Sequence, residues 1–413
     1  MFGLWRHRDF LRLWIAQTVS LFGTQVTVLA LPTVAILLLH ASPFEVGVLA
    51  ALPWLAYLCI GLIAGVIVDH QPRRRIMIAA DLVRFATLGS IPLAFALGFQ
   101  TIAQLYIVAA VVGISNVFFE VAYQAYLPAL LEQRELVEGN GKLALGEAAA
   151  VTGGPAFGGL LIGAFGAATA MLADALSYGL SALFISTIAK HKEVVLDSGI
   201  GLKKTLKEIG EGIGLVLRHP IIRALASVSM LQNFGESVAG AMLLVFVYRD
   251  LHLSPTVVGL TVTVGSVGFL TGAAIVSAAT RKLGIGPMLA VSSLLGAGAY
   301  LVLPLGAFGL PILWLGLWRL LLGLHLPTYN VNVISVRQML VPDHMQGRVN
   351  ATIRTIVLGV MGLGPLVGGL LGTLWGPAPT LICGGAIFLL GSFPLLTRAV
   401  ISLKQHASPV AVA

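Results

Sequence analysis

The chain has 413 residues, 57% of them hydrophobic and 10% charged, with a formal net charge of +8. Soluble domains are about 25% charged, so a water-soluble globular protein is excluded. The apolar runs are continuous rather than alternating, which excludes a membrane β-barrel, and the surplus cations fall between those runs, where they set membrane orientation rather than bind nucleic acid.

A helix needs roughly 20 apolar residues to cross a hydrocarbon core of about 30 Å. The sequence predicts six spans over 12–38, 46–68, 76–98, 102–127, 140–165 and 168–188. Six more follow over 221–248, 256–279, 287–306, 310–336, 350–373 and 378–397. The first run follows Arg6, Arg8 and Arg12 and is too long for a cleaved signal. Cys59 and Cys383 both lie inside apolar runs, far apart, and read as small core residues. The fold class is therefore an all-α membrane protein of twelve transmembrane helices in two pseudo-symmetric six-helix bundles, 1–188 and 221–397. Between them, 189–220 reads as a basic amphipathic linker (Lys203, Lys204, Lys207, Arg218) that either lies on lipid or is a solvated helix. Residues 398–413 form a tail.

Of the 25 lysines and arginines, 21 fall on one side of this topology, which makes both termini cytoplasmic. Arg249 stands opposite, and Arg84, Arg319 and Arg354 lie within spans.

The halves repeat. Gly154-Pro155-Ala156-Phe157-Gly158-Gly159 returns 210 positions later as Gly364-Pro365-Leu366-Val367-Gly368-Gly369, and Leu127-Pro128 with Arg134 returns as Val341-Pro342 with Arg348. A duplicated six-helix unit is a transporter architecture with its substrate near the midplane.

Polar groups inside lipid are costly, so their spacing is informative. Gln17, Ser20, Thr24 and Thr27 share a face of the first span, and Asn116, Glu120 and Gln124 share a face of the fourth. The seventh carries Ser229, Gln232, Asn233 and Glu236, and the tenth His325, Tyr329 and Asn332. Stripes on every third helix are expected to line one aqueous cavity, the alternative being hydrogen-bonded contacts between helices. Three carboxyls lie well inside spans: Glu120, Asp174 and Glu236. Burial favours the neutral form of a carboxyl, so these are the candidates for coupling to protons. Asp81 and Arg84, three apart on one helix, read as a structural ion pair. Gly61 and Gly65, like the glycines of the repeated motif, are expected to let helices approach closely, and Pro155 and Pro365 to bend theirs.

Enzyme motifs fail. Gly139-Asn140-Gly141-Lys142 has Leu136 where a phosphate loop needs its first glycine, and no metal-ligand spacing or Ser/His/Asp set is present. The sequence implies no catalytic residue, cofactor or metal.

The segment Gly65-Val66-Ile67-Val68-Asp69-His70-Gln71-Pro72-Arg73-Arg74-Arg75 resembles the loop between helices two and three of the major facilitator superfamily, with Pro72 where glycine is usual. Gly154-Pro155 with Gly158-Gly159 resembles its antiporter motif, and Asp81-Leu82-Val83-Arg84, Gln338-Met339-Leu340-Val341-Pro342 and Gly347-Arg348-Val349 resemble the branch of macrolide-type drug and siderophore exporters. That resemblance implies a gating loop of Gly65, Asp69, Arg73, Arg74 and Arg75, with Asp69 docking at helix eleven. It implies that Gly154, Pro155, Gly158 and Gly159 pack helix five on helix eight, with Gly364, Pro365, Gly368 and Gly369 their counterparts. Two departures bear on coupling: Gly23 is followed by Thr24 rather than an acid, and helix four lacks an arginine.

The expectation is an exporter of amphipathic small molecules by alternating access, antiporting protons, monomeric, embedded in the lipid of a bacterial inner membrane. The alternatives are a dedicated exporter of one endogenous product (siderophore, antibiotic or lipid) and a non-transporting membrane receptor.

Overall fold

A computed structural model describes residues 3–189, Gly210 and 213–403; Lys203, Lys204 and Lys207 of the linker, and the tail beyond Leu403, lie outside the described residues. Among the described residues all regular structure is helical, with twelve long helices. They are α1 (Arg8–Thr33), α2 (Pro43–Asp69), α3 (Arg73–Leu97), α4 (Ile102–Leu130), α5 (Leu136–Phe165) and α6 (Ala167–Thr187). There follow α7 (Pro220–Val245), α8 (Pro255–Leu283), α9 (Ile285–Val302), α10 (Pro311–Leu340), α11 (Asp343–Trp375) and α12 (Pro377–Ser392). Eleven helices are long and apolar enough to cross a membrane. The twelfth, α10, is less apolar because Trp314, Arg319 and His325 stand in it.

Sequence sets the helix ends. Proline opens α2, α7, α8, α10 and α12, where its missing N–H would have had no partner anyway. Gly166, Gly284 and Gly376, at φ of 79°, 90° and 90°, each turn one helix directly into the next.

The duplication reaches the backbone. His7 caps α1 by accepting from Phe10 N at 3.1 Å, and His219, 212 positions on, caps α7 by accepting from Ile222 N at 3.3 Å. α1 ends in a π turn, Val34–Leu38, and α7 in another, Phe246–Asp250. His40 and His252 then take the left-handed conformation, at φ of 50° and 52°. Such agreement in unfavoured geometry marks one ancestral unit used twice.

The chain forms two compact units. The described residues of the first fall within Met1–Ala41, Leu52–Ile200 and Ser254–Leu260. In it α1 packs on α5 and α6, and α3 on α4 and α6, around Phe10, Leu13, Met77, Phe119 and Tyr126. Those of the second fall within Ser42–Ala51, Gly201–Leu253 and Thr261–Ala413. There α7 packs on α11 and α12, and α9 on α10 and α12, around Ile222, Leu225, Leu289, Val333 and Leu395.

Candidate functional site

In the first unit the polar groups converge on Arg84. Its guanidinium pairs with Asp81 one turn away, donates from Nη1 to Asn116 Oδ1 on α4 at 2.9 Å, and lies between two rings, with Cζ 4.3 Å from Phe119 and 4.1 Å from Tyr178. Cation–π contacts of this desolvated kind contribute about 2 kcal/mol. The other oxygen of Asp81 accepts from Ser181 at 2.7 Å. Asp174, Ser177, Tyr178 and Ser181 recur at i, i+3, i+4 and i+7 and form one polar face of α6. Tyr178 shares a 2.8 Å hydrogen bond with Thr24 of α1, and Ser177 donates to Asp174 Oδ1 at 3.1 Å. Asp81, Asp174 and Ser181 have no exposed surface. The network thus joins four helices around the fully buried Asp81, Asp174 and Ser181.

Beside it lies a wetter group. Glu120 on α4 is half-buried, and its Oε2 accepts from the Tyr57 hydroxyl of α2 at 2.7 Å. Its Oε1 accepts from Gln124, one turn on and exposed, at 3.2 Å. Gln17 and Thr24 of α1 and Asn116 of α4 are also half-buried. Tyr57 and Gln124 both act as donors to Glu120, the arrangement a carboxylate accepts.

The second unit separates what the sequence reading grouped. Glu236 is exposed and Asn233 half-buried, its amide back-bonded to Ser229 O at 2.7 Å. The Tyr300 side chain of α9 lies near Glu236, and Arg319 of α10 lies near Tyr300. Gln232, by contrast, is buried and donates to Ser392 of α12 at 3.0 Å. His325 is buried, bonds Ser292 O at 2.7 Å and packs between Tyr329 and Phe388. Asn332 is buried and accepts from Thr280 of α8 at 3.1 Å. Gln232, His325 and Asn332, expected to line a cavity, therefore join helices within the unit, and Tyr329 is buried against His325, because hydrocarbon leaves a polar side chain few partners besides its neighbours.

In the loop segment, Arg74 of α3 donates Nε to Ile185 O at 3.1 Å and Nη2 to Ser186 O, while Arg12 of α1 donates to Thr187 O at 2.7 Å. Two arginines thus cap the C-terminal carbonyls of α6, where cations are favoured. Asp69 ends α2, Arg73 is half-buried and Arg75 exposed.

The repeated glycines work as matched pairs. A Cβ at Gly159 would meet Gly259 Cα at 2.9 Å and Pro255 O at 2.8 Å, so α5 touches the start of α8 backbone to backbone. In the second unit a Cβ at Gly369 would meet Gly47 Cα and Phe44 Cα at 3.0 Å, so α11 touches the start of α2 in the same manner. Gly154 and Gly158 instead face Gln25 and Val26 of α1, and Gly364 and Gly368 face Ser237 and Val238 of α7. Pro155 and Pro365 sit inside their helices between these contacts. Gly61 and Gly65 do not follow the expectation of close approach: a Cβ at either meets nothing within 4 Å.

Residues 2–411 match the family model described as transmembrane secretion effector. The chain belongs to this family of major facilitator superfamily transporters. Among its relatives, the multidrug efflux pump Tap of Mycolicibacterium fortuitum is 28% identical over 396 residues, covering 92% of this chain and 91% of its own. The uncharacterized transporter YfiS of Bacillus subtilis is 22% identical, covering 97% and 95%. Of solved structures, a bacterial homologue of the iron transporter ferroportin in its inward-facing state superposes with a TM-score of 0.74 at 17% identity, covering 95% of this chain and 98% of that one. The nucleoside transporter NupG superposes with 0.77 at 10% identity, covering 96% and 100%. These likenesses show the fold.

As a member of the secretion effector family the protein is a multi-pass membrane transporter of small molecules, not an enzyme. Sequence reasoning named Glu120, Asp174 and Glu236 as candidates but did not join Asp174 to the polar face of α6. Its signal was the spacing of Ser177, Tyr178 and Ser181 behind Asp174, residue types that barely lower hydropathy.

Proposed function

We propose that this transporter exports amphipathic, drug-like small molecules by alternating access and exchanges them for protons. The observation that carries the export of amphipathic compounds is Glu120, a half-exposed carboxyl within an apolar span, held by Tyr57 and Gln124, beside the half-buried Asn116, Thr24 and Gln17. The fully buried acid Asp174 in the same unit supports the exchange for protons. A charge in hydrocarbon is retained only where it faces water, a partner or a ligand. Glu236, exposed on α7, offers the same chemistry in the second unit. The multidrug efflux pump named among the relatives supports a broad substrate range. The protein works as a monomer in a bacterial inner membrane, both termini cytoplasmic by the distribution of its cations.

The test is flux into proteoliposomes holding the purified protein, with a panel of unrelated amphipathic compounds, with and without an imposed proton gradient. Uphill movement of several compounds that collapses with the gradient is expected. Movement of a single compound would identify a dedicated exporter, and flux indifferent to the gradient would remove proton exchange.

A further inference from the structure

The first unit contains a carboxyl that its ion pair leaves unused. Asp174 has no exposed surface; Ser177 donates to its Oδ1, and Thr27 of α1 reaches the same carboxyl. Thr27, on the facing side of α1, is buried and brings only a neutral hydroxyl to the Asp174 carboxyl. The charged groups that reach Asp174 are Arg84 and Asp81, both on α3, and its titratable neighbour on α6 is Tyr178. Thr24 and Thr27, which α1 contributes, carry no charge.

Charge accounting decides the state of this acid. Arg84 supplies one positive charge, and Asp81 already pairs with it. An ionised Asp174 would leave one uncompensated negative charge where water does not reach, which is far costlier than a neutral acid. A proton on the carboxyl removes that excess, and the neutral acid keeps its hydrogen bond with the Thr27 hydroxyl, which can donate or accept.

We propose that Asp174 holds a proton in this conformation and is the group at which the transporter binds and releases its coupling proton, with Arg84 turning from Asp81 toward Asp174 when the proton leaves. The inference rests on the proton-exchange reading above and names its residue. The O–H bond forms at the carboxyl with a proton from water and breaks by returning it to water; Arg84 stays protonated throughout. Ser181 keeps hold of Asp81 when the guanidinium departs, and the ring of Tyr178, one turn from Asp174, is the surface along which Arg84 moves. Gly23 lets α1 lie directly on this acid, since a Cβ there would meet Ser177 Cβ at 2.8 Å. A seated α1 keeps Asp174 dry, and a withdrawn α1 wets it. Glu120 is then left for the substrate.

Two experiments test the assignment. The first is infrared spectroscopy of the full-length wild type in lipid, with carboxyl-labelled aspartate and, separately, labelled glutamate. A protonated-carboxyl band that persists at neutral pH, shifts with the aspartate label and is missing from Asp174→Asn is expected. No such band, or one that shifts only with labelled glutamate, overturns the proposal. The second is flux in proteoliposomes: Asp174→Asn should lose roughly tenfold or more of gradient-driven uphill export while substrate exchange at equilibrium continues, and Asp174→Glu should recover part of the coupling with an altered pH profile. Uphill export by Asp174→Asn as strong and as pH-dependent as wild type overturns it. If the wild type moves no compound of the panel yet shows the aspartic acid band, the substrate reading fails and the assignment of the proton is supported.

Discussion

The hydroxyl of Tyr57 donates a 2.7 Å hydrogen bond to Oε2 of Glu120 and so ties α2 to α4. This bond fixes the carboxylate without neutralising it, since its donor carries no charge. Glu120→Gln is therefore expected to weaken binding of cationic amphiphiles about tenfold, or about 1.4 kcal/mol, and to leave neutral compounds almost unaffected. Tyr57→Phe removes one interhelical bond, about 0.6 kcal/mol in lipid, and should weaken the same cations less. Fluorescence binding titrations with matched cationic and neutral probes check both; equal losses for the two classes would assign Glu120 to structure.

Arg84 and Asp81 form a buried pair whose halves depend on each other. Removing one leaves a buried charge without its counterion and costs about 3–5 kcal/mol, whereas removing both is far milder. Arg84→Leu is expected to lower the thermal midpoint in detergent sharply, and Arg84→Leu with Asp81→Leu to restore much of it. A double variant no more stable than the single one would show that the ring contacts to Phe119 and Tyr178, not the ion pair, hold this region.

The backbone contacts at Gly159 and Gly369 leave no room for a side chain. Gly159→Val and Gly369→Val should each destabilise by about 1–3 kcal/mol through overpacking and slow transport to a similar degree, because the contacts repeat. Gly61→Ala, placed in open space, serves as the control and should change neither. Thermal midpoints and transport rates of the three variants decide it.

His219 gives the second unit a pH-dependent helix start. Its Nδ1 lone pair accepts from Ile222 N, and burial holds its pKa below the usual 6.5. The folded state thus binds fewer protons than the unfolded one as pH falls past 6.5, so the contribution is present above that value and is lost on acidification. A cap is worth about 1 kcal/mol, enough to speed amide exchange at Ile222 several-fold in acid. His219→Asn keeps an acceptor and should abolish that pH dependence.

The spans were legible from their length; the packing of helix five on helix eight, which the resemblance implied, holds at Gly159, whereas Gly154 and Gly158 face α1. Glu120 and Glu236 were legible as carboxyls in apolar runs. A polar stripe shows that a face has an occupant, not whether it is water or a neighbouring helix, and at Gln232 and Asn332 it is Ser392 and Thr280. At Gly61 and Gly65, a spacing of the same kind, a Cβ would meet nothing within 4 Å among the described residues. The Asp81–Arg84 pair was legible as two charges three apart on one helix, but its extension to Asn116, Tyr178 and Ser181 was not, because no linear pattern joins α3 to α4 and α6.

The arrangement of Arg84 also bears on how the chain enters the membrane during synthesis. A lone Asp or Arg at a helix centre adds about 2.5–3.5 kcal/mol to the free energy of insertion. The α3 segment carries both, one turn apart, so it brings its own counterion and can partition into lipid before α4 and α6 have been made. Asp174 has no such companion on α6; the charges that reach it belong to α3. The α6 segment must therefore enter as a neutral acid or find α3 already in place, and translation from the N-terminus supplies that order. A chain that met the translocon with α6 first would face the barrier unaided.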